Sequence, residues 1–165
     1  MVKEPWDSST EKAKTLTVKD FGTLDEVKEM ARPIRSAHTR QEAANILNQI
    51  AKNGPLTSKT GLTAVLPNRN ISKMVSDVAI LQSSSREAHF LAVSNLDKLF
   101  PNAIEPWAFA LNPNKNNQDL KERRVLYAPL EYEGRIIPVK ITVKEYADQV
   151  RGIKIYSLEA IDAVL

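Results

Sequence analysis

Hydrophobic residues recur along this chain with two different periods, and the change from one to the other divides it. Through the first hundred residues the apolar positions fall three and four apart, the spacing that places them on one side of a helix. Thr23-Leu24-Asp25-Glu26 has the form of a capping box, in which a threonine and a glutamate three residues on satisfy each other's backbone N–H groups. It opens a helix whose stripe is Leu24, Val27, Met30, Ala31 and Ile34, closed by Pro33 and Ser36. Thr39-Arg40-Gln41-Glu42 opens a second, with Ala43, Ile46, Leu47, Ile50 and Ala51 inward until Asn53-Gly54-Pro55 stops it. Residues 61–66 read as a strand ended by Pro67. Asn70 is the expected cap of a short helix carrying Ile71, Met74, Val75, Val78 and Leu81. Ser84-Ser85-Arg86-Glu87 then opens a longer helix to about Phe100, with Ala88, Leu91, Ala92, Leu96 and Leu99 inward.

After residue 122 the period drops to two. Three runs rich in β-branched and aromatic residues, the first two joined at Glu133-Gly134, predict an antiparallel meander. In the middle run Ile137, Val139, Ile141 and Val143 share one face, and Lys140, Thr142 and Lys144 share the other. Lys154, Tyr156 and Leu158 share a face of the last run, and Arg124 or Tyr127 joins the polar face from the first, depending on register. Pro138 removes a donor from the middle run, which points to an edge strand or a bulge there. Residues 1–14 read as a loose polar arm, residues 16–18 as a short strand or extended lead-in, and residues 112–118 as a mobile Asn-rich loop. Helices first and strands last predict an α+β fold, with N-terminal helices packed on a small C-terminal antiparallel sheet. The 61–66 strand is free to join that sheet as a fourth member. The division expected is a helical lead-in over residues 1–56 and an α+β domain over 57–165.

Composition narrows the chemistry. With 42% hydrophobic and 26% charged residues, the 165-residue chain has the make-up of an ordinary globular domain. It has no cysteine, which excludes disulfides, thiolate metal sites and cysteine nucleophiles. Its two histidines, His38 and His89, lie far apart, so no metal site and no cofactor is expected. No apolar run approaches a membrane span. A net charge of +3, spread along the chain, does not support nucleic-acid binding by bulk electrostatics, and leaves open a local site assembled by the fold. No Walker loop, nucleophile elbow or metalloprotease motif is present.

His89 falls inside the apolar arc of its helix, so it faces the helix–sheet interface. It reads either as a core-edge histidine held by a hydrogen bond or as a general acid or base at the mouth of a cleft. His38, beside a helix cap, reads as a solvated loop residue. Lys140, Lys144, Lys154, Arg123 and Arg124 are candidate phosphate contacts, and Tyr127 and Tyr156 candidate stacking platforms. A solvated sheet face is the plain alternative.

Four short motifs in order carry a resemblance over roughly residues 60–162. They are Leu62-Thr63-Ala64-Val65 with Ser72-Lys73-Met74, the run from Glu87 to Ala103 that includes His89, Val139-Lys140-Ile141-Thr142-Val143-Lys144-Glu145, and Lys154-Ile155-Tyr156-Ser157-Leu158-Glu159. This series resembles a domain family of phage and mobile-element polyvalent proteins, found also at the C-terminus of MuF-like head-morphogenesis proteins. The resemblance implies the barnase–EndoU–colicin–RelE nuclease-like fold and metal-independent RNA cleavage through attack by the 2′-hydroxyl. It makes His89, Lys140, Lys144 and Arg124 the catalytic candidates. Tyr156, Thr142, Ser157, Lys154 and Lys73 become the substrate-binding ones. It implies RNA, as tRNA or a single strand, for a partner, an immunity or antitoxin protein as a possible second, and no membrane. The place of action would be the bacterial cytoplasm, or a phage-delivered one. Relatives carry a histidine on the first meander strand, whereas Arg123-Arg124-Val125-Leu126-Tyr127 here has none. The alternative reading is a catalytically inactive nucleic-acid- or protein-binding module.

Overall fold

The computed structural model describes residues 17–105, 123–148 and 153–163; the expected arm at 1–14 and loop at 112–118 lie outside them. Helices α1 (Leu24–Ala31) and α2 (Arg40–Lys52) begin where the capping residues placed them. Thr23 Oγ1 accepts from Glu26 N–H at 3.2 Å while Glu26 returns the bond to Thr23 N–H at 2.8 Å. Where residues 16–18 were expected to be extended, Val18 instead opens a 3-10 turn, Val18–Asp20, with Asp20 bonding back to Thr17 N–H. After two short paired strands, β1 (Leu56–Thr57) and β2 (Thr63–Ala64), come α3 (Asn68–Met74), α4 (Asp77–Gln82), α5 (Arg86–Val93) and α6 (Leu96–Leu99). The chain then runs through β3 (Arg123–Tyr132), β4 (Arg135–Asp148) and β5 (Ile153–Ala163), an antiparallel sheet in the order β3-β4-β5. This is an α+β fold with its helices in the N-terminal part and the meander at the C-terminal end.

Two helices expected to be continuous are broken, each by polar side chains that turn back on the backbone. Ser76 separates α3 from α4: its hydroxyl donates to Lys73 O at 2.7 Å and accepts from Ala79 N–H at 3.2 Å. The break rotates α4, so Val78 and Leu81 are 67% and 82% exposed instead of inward. Asn70 is not a cap; it lies inside α3, fully buried, and its side-chain amide donates to Leu158 O at 2.7 Å. Ser94 and Asn95 separate α5 from α6 where one helix to residue 100 was expected. On α1, Val27 and Ala31 are buried as expected, but Leu24 lies exposed at the first turn and Ile34 beyond the last.

The hairpin between β3 and β4 turns on Glu133 and Gly134, with φ of 52° and 78°. Two successive left-handed residues give the turn whose twist matches paired strands. Pro138 is on the central strand and not on an edge. It sits opposite Pro129, a rung that can only be non-hydrogen-bonded because neither residue has an N–H, and pairing with β5 starts one residue later, at Val139. β5 is longer than the expected run and carries a bulge. Leu158 pairs with Val143 and Ala160 with Thr142, so Glu159 is extra, and the shift keeps Leu158, Ile161 and Ala163 all on the inner face. The expected fourth strand shrinks to one junction, with Val65 N–H donating to Tyr156 O and Leu158 N–H to Val65 O.

The sheet is covered unequally on its two faces. On the inner face Ile137, Val139, Ile141 and Val143 are buried against α3, α5 and α6, and the stripe of α2 (Ala43, Leu47, Ile50) closes the same core from outside. On the outer face α1 packs against β3, where Phe21, Val27 and Tyr127 make a second, smaller cluster that Ile136 of β4 also joins. Beyond that cluster the outer face carries polar side chains.

Candidate functional site

Strand alternation decides which candidate residues can meet. Arg123 pairs with Lys144, Val125 with Thr142 and Tyr127 with Lys140, so these six share the outer face. Arg124 pairs with Val143, which puts it on the inner face, and Tyr156, paired with Glu145, is on that face too. One polar face combining the lysine row with Tyr156 and Arg124 is therefore not formed; of the two residues left open by sequence, Tyr127 joins the lysines. Lys140, Thr142 and Lys144 are half-buried and Arg123 is exposed. Asp162 stands opposite Lys140 on β5. Ser157 is opposite Lys144 and Lys154 opposite Ala147 by backbone register, with their side chains outside the described residues. Lys73 is exposed on α3, away from the lysine row in register and element.

Arg124 occupies the open end of the inner face. Its Nε and Nη2 donate to the two carboxylate oxygens of Glu105 at 2.8 and 2.6 Å, a fork-on-fork pair, and its guanidinium lies 5.6 Å from the centre of the Tyr156 ring. The Glu105 side chain is only 7% exposed, so this pair ties the residue leaving the helical layer to the first strand of the sheet. Hydrogen bonding to Glu105 raises the guanidinium's pKa above its already high ordinary value, against the opposing effect of partial burial.

His89 has no exposed surface. Its Nε2 lies 2.7 Å from the Met74 carbonyl, which can only accept, so Nε2 carries the proton. Nδ1 then accepts from the Ser83 hydroxyl at 2.7 Å, and Ser83 Oγ in turn accepts from Ala163 N–H at 2.9 Å. The imidazole thus links the end of α3, the α4–α5 turn and the last rung of β5. Burial lowers its pKa from the ordinary 6.5, and the Met74 bond and the charge of Asp162 oppose that only in part. Both nitrogens are committed to the protein, more fully than a core-edge histidine with one bond. The placement gives the lysine row no shared pocket with an imidazole.

A comparable polar hub had no place in the sequence reading. Asn95 is fully buried; its Oδ1 accepts from Ile34 N–H at 2.8 Å and Arg35 N–H at 3.2 Å, while its Nδ2 donates to Arg35 O and Leu91 O, each at 2.8 Å. Beside it Arg35 grips Asp97 with two bonds of 2.7 and 2.9 Å. The available signal was position: Asn95 follows Leu91 by four and precedes Leu99 by four, so it sits on the inward stripe of the expected helix. An amide there must bond or be expelled.

One open groove, about 280 Å³, lies between the entries of α2 and α5. Ser36, Ala37, His38, Arg86, Phe90 and Tyr132 are among its walls. Among the described residues no group of His, Cys, Asp or Glu is placed to hold a metal ion, and no helix is long and apolar enough to cross a membrane.

The architecture is thus an α+β domain, its helices set over a three-stranded antiparallel meander. Residues 35–156 match the family model described as large polyvalent protein-associated domain 3, and the chain belongs to that family. No curated protein and no solved structure matches it.

Proposed function

We propose that this domain is a non-catalytic nucleic-acid-binding module of a phage or mobile-element polyvalent polypeptide, contacting phosphates through the outer face of its sheet. The observation that carries the proposal is the separation of groups. The lysine row faces outward, while the His89 imidazole is sealed within the helical side with both nitrogens bonded. RNA cleavage without metal needs an acid or base within hydrogen-bond reach of the phosphate that the cations hold. Binding needs only the cations. Arg123 and Lys144 stand directly opposite each other on the outer face, so a phosphate lying across this rung would meet two cations at once. Lys140 and the Thr142 hydroxyl continue the same track along β4.

Incubation of the domain with tRNA and with a labelled single-stranded RNA, in EDTA, tests the reading. Saturable binding without cleavage is expected, weakened by Arg123→Ala, Lys140→Ala and Lys144→Ala and unaffected by Arg124→Lys. Each lost phosphate contact lowers the slope of log K against log salt by about 0.7 for a single strand. Cleavage by the wild type would overturn the non-catalytic half of the proposal, and absence of binding at low salt the other half.

The ribonuclease reading keeps one favourable observation, the Arg124 guanidinium stacked on Tyr156 at the open end of the inner face. That pair sets a phenol beside a guanidinium engaged by Glu105, without help from His89. If RNA is cleaved in EDTA, loss of cleavage in Arg124→Ala and Tyr156→Phe would assign the chemistry to this end. Growth arrest on expression, or co-purification of an inhibitor protein, would mark the same reading.

A further inference from the structure

We infer that the groove between the entries of α2 and α5 is a docking site for a short acidic peptide segment of a protein partner, one large apolar side chain filling the groove and a neighbouring carboxylate meeting Arg86. This site is separate from the sheet face and does not depend on RNA binding. The groove encloses about 280 Å³, room for one or two side chains and below the range typical of sites for whole small molecules. Its floor is apolar, made by Ala37, Phe90 and Leu91. Its lip is polar: the exposed Arg86 and His38 stand at the rim, with the Tyr132 hydroxyl, 3.2 Å from Ser85 Oγ, at one end.

Charge selects the occupant. The Arg86 guanidinium lies 5.0 Å from the centre of the Phe90 ring, so it is held over the floor of the groove. Among the described residues it makes no ion pair and no hydrogen bond, unlike Arg35 and Arg124, whose forks are filled by Asp97 and Glu105. A guanidinium stacked on an aromatic face keeps its in-plane N–H groups available, and a carboxylate is the group that fits them two at a time. The positive ends of α2 and α5, both of which start at this groove, add the same sign. Glu87, the one acidic wall residue, accepts from Ser85 Oγ at 3.2 Å, a bond that engages one of its carboxylate oxygens within the protein. A strand of nucleic acid would find one cation and no flat apolar slot open enough for a base, whereas an acidic–apolar peptide matches both halves of the groove.

The test uses fluorescein-labelled hexapeptides that carry one Glu and one Phe, Leu or Trp at spacings of one to three, with matched peptides in which Lys replaces Glu. Saturable binding of at least one acidic peptide and none of the lysine peptides is expected. Arg86→Glu, an exposed substitution, should weaken the acidic peptide tenfold or more and bring the matched lysine peptide into binding. Amide shifts in 15N spectra should be confined to residues 36–38, 86–91 and 132. The inference is overturned if no acidic peptide saturates the domain at millimolar concentration, if Arg86→Glu leaves affinity unchanged, or if the shifts map to the sheet face. Self-association that perturbs the same amides and is lost in Arg86→Glu would overturn it in favour of a second copy of the chain. RNA binding unchanged in Arg86→Glu would separate failure here from failure of the sheet-face reading.

Discussion

The two sides of the meander handle polarity in opposite ways. Under the inner face the polar side chains are few and buried: Asn95 bonds the backbone of Ile34, Arg35 and Leu91, and His89 spends both nitrogens on Met74 and Ser83. On the outer face the charges are more numerous and stand at the surface or half out of it, arranged in rows by strand alternation. A buried polar group without a partner costs roughly 1–3 kcal/mol, so the bonds of Asn95 and His89 hold the fold together. Groups on the outer face stay within reach of solvent and of ligands. Residue type alone says little about which role a side chain has; His89 is placed where both of its ring nitrogens bond within the protein.

That contrast predicts unequal costs. Asn95→Ala should be the most damaging single change, at about 3–5 kcal/mol, because it strands the Ile34 and Arg35 N–H groups and the Arg35 carbonyl at once. Urea titration measures it, and a loss under 1 kcal/mol would erase the distinction between the two sides. His89→Ala should follow at about 2–4 kcal/mol, from a cavity and the loss of bonds to Met74 and Ser83.

The histidine also makes stability depend on pH, with a definite sign. Its native pKa lies below the unfolded value near 6.5, so the unfolded chain binds the proton first. The contribution is whole above 6.5 and falls away as pH drops from there through the lowered native value. In His89→Gln that portion of the acid slope should vanish, a difference readable in melting temperature between pH 7.5 and pH 5. Smaller again is Glu105→Gln, expected to cost about 1–3 kcal/mol by leaving the partly buried Arg124 with a neutral acceptor. At the far end, Lys140→Ala and Lys144→Ala should change stability by no more than about 0.5 kcal/mol while weakening RNA binding. A large stability loss from either would mean the outer row is structural too.

Much of the local architecture was legible in sequence because it depends on neighbours a few residues apart. Thr23 with Glu26 and Thr39 with Glu42 placed two helix starts, and Ile137 through Val143 named the buried side of β4. Each rests on a local geometric rule, a threonine capping the first turn or a side-chain period of two; the reciprocal bond of a capping box forms at Thr23, whereas Glu42 accepts from His38 N–H and not from Thr39. The helix breaks at Ser76 and Ser94-Asn95 were hidden because their benefit comes from groups distant in sequence or from a turn that only packing rewards. Pro138 on a central strand was hidden for the same reason: only pairing reveals Pro129 opposite it.

Sequence by itself determined the helices-then-meander order, the period of each segment and the separation of Lys140, Thr142 and Lys144 from the apolar side of their strand. Tertiary structure alone decided register, and with it that Tyr127 stands beside Lys140 while Arg124 and Tyr156 turn the other way. It also decided that His89 faces a carbonyl and a serine and not solvent. The reason is physical: alternation fixes which residues of one strand share a side, but only hydrogen bonding between strands fixes which of their sides coincide.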